Sequence, residues 1–298
     1  KSIKYNAPRD YSAQDRAVTA DDYKVLVKSL YANAQSVQVY GGEDAATPDY
    51  GKVYISIKAK SGSNLTEVTK ESLVRSLKSY AVASVTPIII DPETTFITIA
   101  TNFKYNSGLT TKDVSTLQTN VTDAISSYNT DTLEDFTGMF RYSAVTKTID
   151  GADTSILSNI TTVNMYKFIT PTLNSGLKYT LSFNNAFYNP HSGHNTSAGG
   201  IVSSTGFKIT NDDSLNEHFL DDDGAGNIRV YYLSGTTRIY TDSTFGTINY
   251  TTGEIILTSA HITSISNVDG ATSTRVRITV RPNSNDIVPV RNQILSID

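Results

Sequence analysis

The first half of the chain switches repeatedly between helical and strand periodicity. Apolar positions at Tyr23, Leu26, Val27, Leu30 and Tyr31 recur at helical spacing behind Thr19, which reads as an N-cap with Asp22 at the capping-box position. Ser36 to Tyr40 then has the β-branched alternation of a half-buried strand, and Gly41-Gly42 breaks it. Gly51 to Lys60 alternates Val53, Ile55, Ile57 and Ala59 with Tyr54, Ser56, Lys58 and Lys60, so one face belongs to a core and the other to water. A polar bridge, Ser61 to Asn64, leads to a second helix with Thr69 as its cap and Leu73, Val74, Leu77, Tyr80 and Ala81 as its buried stripe. Val85 to Ile90 and Phe96 to Tyr105 read as the next pair of strands, separated by Asp91-Pro92.

A third helix is predicted behind Thr110 or Thr111, with a stripe of Val114, Leu117, Val121, Ala124, Ile125 and Tyr128. A loop around Asp131 to Gly138 precedes a shorter helical pattern at Tyr142, Val145 and Ile149, closed by Gly151, and Ile156 to Phe168 returns as a strand. Helices with one apolar face alternating with strand pairs predict a two-layer α+β domain over 19–170, with a weak helix-strand-strand repeat. Residues 1–18 read as an extended arm or linker.

Thr170-Pro171 marks a change of character. Beyond it the alternation is that of short strands: Leu177 to Phe183, Phe207 to Thr210, Ile228 to Leu233, Thr237 to Tyr240, Thr247 to Thr251, Glu254 to Leu257 and Val276 to Val280. Asp223-Gly224, Ser234-Gly235 and Thr252-Gly253 supply hairpin turn residues. Residues 171–298 are therefore expected to form an all-β domain, a sandwich or an open barrel.

At 298 residues the chain can bury one large core or two ordinary ones. A net charge of -4 argues against a general nucleic-acid-binding surface, and the longest apolar run is too short to cross a bilayer. With no cysteine, disulfides and thiolate metal sites are excluded, which suits a reducing compartment or a particle assembled in bacterial cytoplasm. The chain opens at Lys1 in mid-motif, so a carboxy-terminal fragment of a longer protein is expected.

Several stretches together carry a family likeness: PRDYSAQDRAVTADDYK (8–24), VQVYGGED (37–44), YGKVYISIKAK (50–60) and DPETTFITIATNFKYN (91–106). It continues in HFLDDDGAGNIRVYYL (218–233), GTINYTTGEIIL (246–257) and RPNSNDIVPVRNQILSID (281–298). These runs resemble the baseplate J-like family of contractile-tail proteins, and within it the baseplate wedge subunits of T-even-type phages. The resemblance implies a structural virion protein that acts without enzymatic activity or a cofactor. It implies a homodimer that also meets other wedge subunits, so that a ring closes around the tail tube and moves by rigid-body shifts. The expected location is the virion tail baseplate, assembled in the host cytoplasm, with no nucleic-acid partner and no membrane insertion.

Candidate chemistry is sparse. Asp221-Asp222-Asp223-Gly224-Ala225-Gly226-Asn227 offers three carboxylates beside glycines, but the helices and distal glutamate of an EF-hand are lacking, and a hairpin tip with solvated acids is the reading adopted. His191 and His194 stand three apart in NPHSGHN, half of a metal site with no third ligand nearby, and read as exposed loop residues; His218 and His261 stand alone. The sequence has no nucleophile elbow, no phosphate-binding loop and no dinucleotide fingerprint. Triplets starting at Asn64, Asn120, Asn159, Asn195 and Asn249 match a glycosylation pattern by chance in so Ser/Thr-rich a chain. No catalytic, cofactor-binding or metal residue is assigned. The 18 tyrosines, in a chain without tryptophan, suit interfaces, and Tyr231-Tyr232 must place rings on opposite faces of one strand. A β-rich adhesin or carbohydrate-binding module, using the loop Tyr188 to Gly200, is the alternative, and a tail-associated hydrolase a third reading.

Overall fold

Thr19 caps the first helix, α1 (Ala20–Leu30), through the reciprocal box its sequence predicts. The Asp22 backbone N–H donates to Thr19 Oγ1 at 3.3 Å, and the Thr19 N–H donates to Asp22 Oδ2 at 2.8 Å. The structure is a computed structural model describing residues 16–45, 47–61, 64–194, 200–210, 216–268 and 270–298. Most of the expected arm, 1–18, the Asn195 triplet and part of the 188–200 loop thus lie outside the described residues. Arm residue Ala17 is buried and its N–H donates to the Tyr80 carbonyl at 2.8 Å.

Two compact units are present. One holds the described residues up to Thr94 together with Thr132–Gly138 and Val290–Ile294; the other holds Thr95–Asp131, Met139–Pro289 and Leu295–Asp298. In the first, β1 (Ala34–Gly41) pairs antiparallel with β2 (Lys52–Ala59), which pairs parallel with β3 (Thr86–Ile90). α1 and α2 (Glu67–Lys78) belong to the same layer system, and Tyr23, Val27, Leu73 and Leu77 share a core with Val37, Val39, Ile55, Ile57 and Ile89. Residues outside the first ninety complete this unit: the Phe136 N–H donates to Ser36 Oγ at 3.4 Å and the Asn292 N–H to Gln38 Oε1 at 2.6 Å.

The second unit contains α3 (Val114–Tyr128) and α4 (Tyr142–Asp150), which pack together, with α4 against β5 (Ile156–Ile169). The N-caps of α2 and α3 are Thr66 and Asp113, three residues before Thr69 and two to three past Thr110 and Thr111. Both displacements have one cause: these segments offer several Ser/Thr/Asp side chains, and the cap falls on whichever has extended backbone when the stripe docks.

The helix-strand-strand order recurs along the chain, but the second strand pair separates in space. β3 stays with β2, while β4 (Glu93–Tyr105) pairs with β5 in a five-stranded sheet of order β14-β4-β5-β13-β7, where β7 is Val202–Ser204, β13 is Val276–Val280 and β14 is Gln293–Ile297. β5 also pairs with β13, from Ile169↔Val276 to Met165↔Val280. Strands from both sides of Thr170-Pro171 therefore share one sheet, and the compact units divide at Thr94/Thr95 instead of at that proline.

The remaining strands build the barrel form of the two predicted all-β architectures. β8 (Phe207–Ile209), β9 (His218–Asp222), β10 (Asn227–Ser234), β11 (Thr237–Asn249) and β12 (Glu254–Ile265) follow one another by pairing. β12 also pairs with β8, and with β11 from Gly246↔Leu257 to Asn249↔Glu254, so the five strands form a closed ring. β6 (Gly176–Ser182) adds to the outside of this ring along β12. Gly253 turns the β11–β12 hairpin with φ +71°, where a Cβ would lie 2.1 Å from the Asn185 carbonyl oxygen.

Candidate functional site

The acidic run Asp221–Asp223 does lie at the β9–β10 hairpin, but its first two carboxylates are not solvated: Asp221 is 1% exposed and Asp222 0%. Alternation along β9 sends them to opposite faces. On one face Asp221 receives Arg229 Nε at 2.9 Å, Arg238 Nη1 at 2.7 Å and the Tyr240 hydroxyl at 2.8 Å. Each guanidinium also covers an aromatic ring, Arg229 over Tyr240 at 4.4 Å and Arg238 over Tyr231 at 4.6 Å. On the other face Asp222 accepts from the Val202 N–H at 2.9 Å and the Tyr250 hydroxyl at 2.6 Å. Burial, and then the Asp222 carboxylate, push the Tyr250 phenol far above its ordinary range. Asp223 alone closes the turn, accepting from Ala225 and Asn227 N–H groups at 2.8 and 3.0 Å. The carboxylates are thus consumed as structural acceptors, three strands being tied together through Asp221.

His191 and His194 do meet: Nδ1 of His194 lies 3.0 Å from Nε2 of His191, and both residues are exposed. His218 is buried in the barrel beside the Tyr232 ring, 5.8 Å away between centroids. Tyr231 is buried beneath Arg238 on the other face of β10, as the adjacent-tyrosine argument requires. Among the described residues no three His, Cys, Asp or Glu side chains converge as a metal cluster would need.

A cleft of about 320 Å³ opens in the first unit, lined by Val18, Tyr23, Val39, Tyr40, Glu43 and Lys52 among others. The hydroxyl of Tyr23 is buried without a hydrogen-bond partner, and burial raises its pKa.

The far part of the β4–β5 ribbon forms an open surface. β13 covers the outer edge of β5 only over 165–169, and the chain end reaches β4 no further than the Asp298 N–H donating to the Ile97 carbonyl at 3.1 Å. Among the described residues no strand pairs with the outer edges of 98–105 or 158–164. One face of this ribbon is held by α4: the Tyr142 hydroxyl donates to the Thr161 carbonyl at 3.0 Å and Asn159 Nδ2 to the Thr146 carbonyl at 3.0 Å. The other face is bare, made of Thr98, Ala100, Asn102 and Lys104 beside Ser158, Ile160 and Thr162. Ile160 is 72% exposed and Leu157 62%. Free backbone edges and exposed aliphatic side chains on one flat ribbon are features that isolated proteins normally suppress. Sequence reasoning missed them because an apolar residue in a strand is read as core, whereas Ile160 lies on the face opposite buried Thr161, Val163 and Met165, and no element among the described residues covers it.

Residues 19–90 match the family profile described as baseplate structural protein gp6, C-terminal domain I, and residues 93–168 match that protein's C-terminal domain III. The baseplate wedge protein gp6 of Enterobacteria phage T4 is 33% identical over 172 residues, covering 56% of this chain and 25% of that protein. This chain therefore spans about a quarter of the length of that curated relative. A chain in the cryo-EM structure of the anti-feeding prophage baseplate, 6-fold symmetrised, aligns with a TM-score of 0.41 at 12% identity, covering 54% of this chain and 36% of that one.

Proposed function

We propose that this chain, whose residues 19–90 and 93–168 match C-terminal domains of the baseplate structural protein gp6, self-associates and joins neighbouring wedges into the ring around the tail tube. It acts by presenting rigid faces to further copies and to other wedge subunits, within the tail baseplate of a virion assembled in the host cytoplasm. Baseplate switching then moves these units as bodies while their joints persist.

The observation that carries the reading is the bare β4–β5 ribbon, which lies within the segment matched to C-terminal domain III. Its exposed face carries a single charge, Lys104, so two copies can approach antiparallel without strong repulsion. Open edges permit strand addition, and Ile160 supplies apolar area on the bare face.

Sedimentation velocity over a concentration series tests this. The parent chain is expected to form a dimer or larger species, and Ile160→Lys to weaken association at least about tenfold, since an edge lysine opposes strand pairing. A chain that stays monomeric at high concentration and ignores other wedge proteins defeats the proposal.

A further inference from the structure

The loop after β6 is pinned to the β9–β10 hairpin through one carbonyl. The Gly193 N–H and Asn189 Nδ2 both donate to the Gly224 oxygen, at 3.0 and 3.1 Å. This fixes the Asn189 amide so that its Oδ1, buried and lacking a donor, faces away from Gly224. Two residues on, His191 Nδ1 lies 3.2 Å from the Ser192 carbonyl, which accepts its proton and leaves Nε2 with a lone pair. His194 Nδ1, 3.0 Å away, points its own N–H at that lone pair. The two rings are set nearly at right angles, 86° between planes, and Tyr188 packs edgewise on His194 with centroids 5.9 Å apart. Two imidazole nitrogens are thus held in reach of one position that now carries a single proton.

We infer that His191 and His194 form a two-point chelating site for a divalent transition metal ion of the copper or nickel class. Metal-bound imidazole nitrogens lie about 2.0–2.1 Å from the ion, so two of them at a right angle are about 2.9 Å apart and two at the tetrahedral angle about 3.4 Å. The observed 3.0 Å favours the right-angle arrangement of tetragonal copper or nickel over tetrahedral zinc. His191 needs no change of tautomer, and its bond to the Ser192 carbonyl is the usual orienting contact of a ligand histidine. His194 moves its proton from Nδ1 to Nε2, with no net proton released. Water serves the remaining positions. Bound metal would lock this loop in its present fold against the barrel.

Calorimetric titration of the chain with copper(II), with electron paramagnetic resonance of the loaded protein, provides the test. One equivalent is expected at this site, with hyperfine coupling from two nitrogens. His191→Ala and His194→Ala should each weaken that binding at least about tenfold, whereas His261→Ala should leave it unchanged. Both loop histidines are exposed, and circular dichroism checks that the variants keep the fold. Failure of the parent to take up copper overturns the assignment. So does undiminished binding in either single variant or in the doubly substituted protein.

Discussion

Replacing Asp221 by Asn tests whether the barrel depends on one buried charge. The carboxylate is 1% exposed and receives three donors within 2.9 Å, two of them guanidinium groups. Asparagine keeps the shape and one acceptor oxygen but removes the charge. The Arg229 side chain, 10% exposed, then loses its 2.9 Å ion pair while keeping the Asp222 carbonyl at 2.7 Å and the Tyr240 ring. Removing one partner of a buried ion pair costs about 3–5 kcal/mol. Arg238, 37% exposed, adds only about 0–1 kcal/mol because solvent screens it. The expected loss is therefore about 3–5 kcal/mol. For a slope of about 2–3 kcal/mol per molar, this lowers the urea midpoint by roughly 1–2.5 M. Tyrosine fluorescence can follow it, since the chain has no tryptophan. The doubly substituted protein, Asp221→Leu with Arg229→Met, should recover most of the loss, because a well-packed apolar pair often matches the ion pair it replaces. A loss under about 1 kcal/mol, or no recovery in the double variant, refutes the argument that breaking the buried Asp221–Arg229 pair is what destabilises the barrel.

Three further outcomes follow from particular contacts. Tyr250→Phe deprives the buried Asp222 of a donor at 2.6 Å and should cost about 1.5–3 kcal/mol by the same denaturation assay; in the parent, Tyr250 should stay un-ionised when exposed tyrosines titrate. Asp153 is held at about 2 by Lys112 Nζ, 2.6 Å away, and then by Ser155. Because its folded pKa lies below the unfolded value, its contribution is complete above about pH 4 and disappears as pH falls through 2. Carboxyl NMR should show this low midpoint, and Lys112→Met should raise it. Gly253→Ala combines a left-handed backbone with a Cβ 2.1 Å from the Asn185 carbonyl, so it should cost more than about 2 kcal/mol. Gly235→Ala, at φ +64° with open space around it, should cost only about 1–2 kcal/mol; equal losses at the two sites, read by thermal melting, would remove the steric argument.

The sequence alone determined what depends on near neighbours. The capping box at Thr19 and Asp22, the hairpins at Gly224, Gly235 and Gly253 and most of each helical stripe needed only spacing and turn chemistry, because their energetics lie within a few residues. The exceptions are Leu30 and Val114, expected in stripes but 37% and 47% exposed, and Val25, buried although outside the expected stripe. Tertiary structure decided what depends on partners distant along the chain. Nothing local sends β3 to one sheet and β4 to another, nor closes the ring between β11 and β12, because strand pairing is settled by whichever edges meet during packing. The same holds for charge: Asp221 looks like a solvated turn residue until Arg229 and Arg238 arrive from neighbouring strands and make its burial tolerable. Ile160 is the converse case, an aliphatic residue on the strand face opposite buried Thr161, Val163 and Met165, with no layer among the described residues covering it.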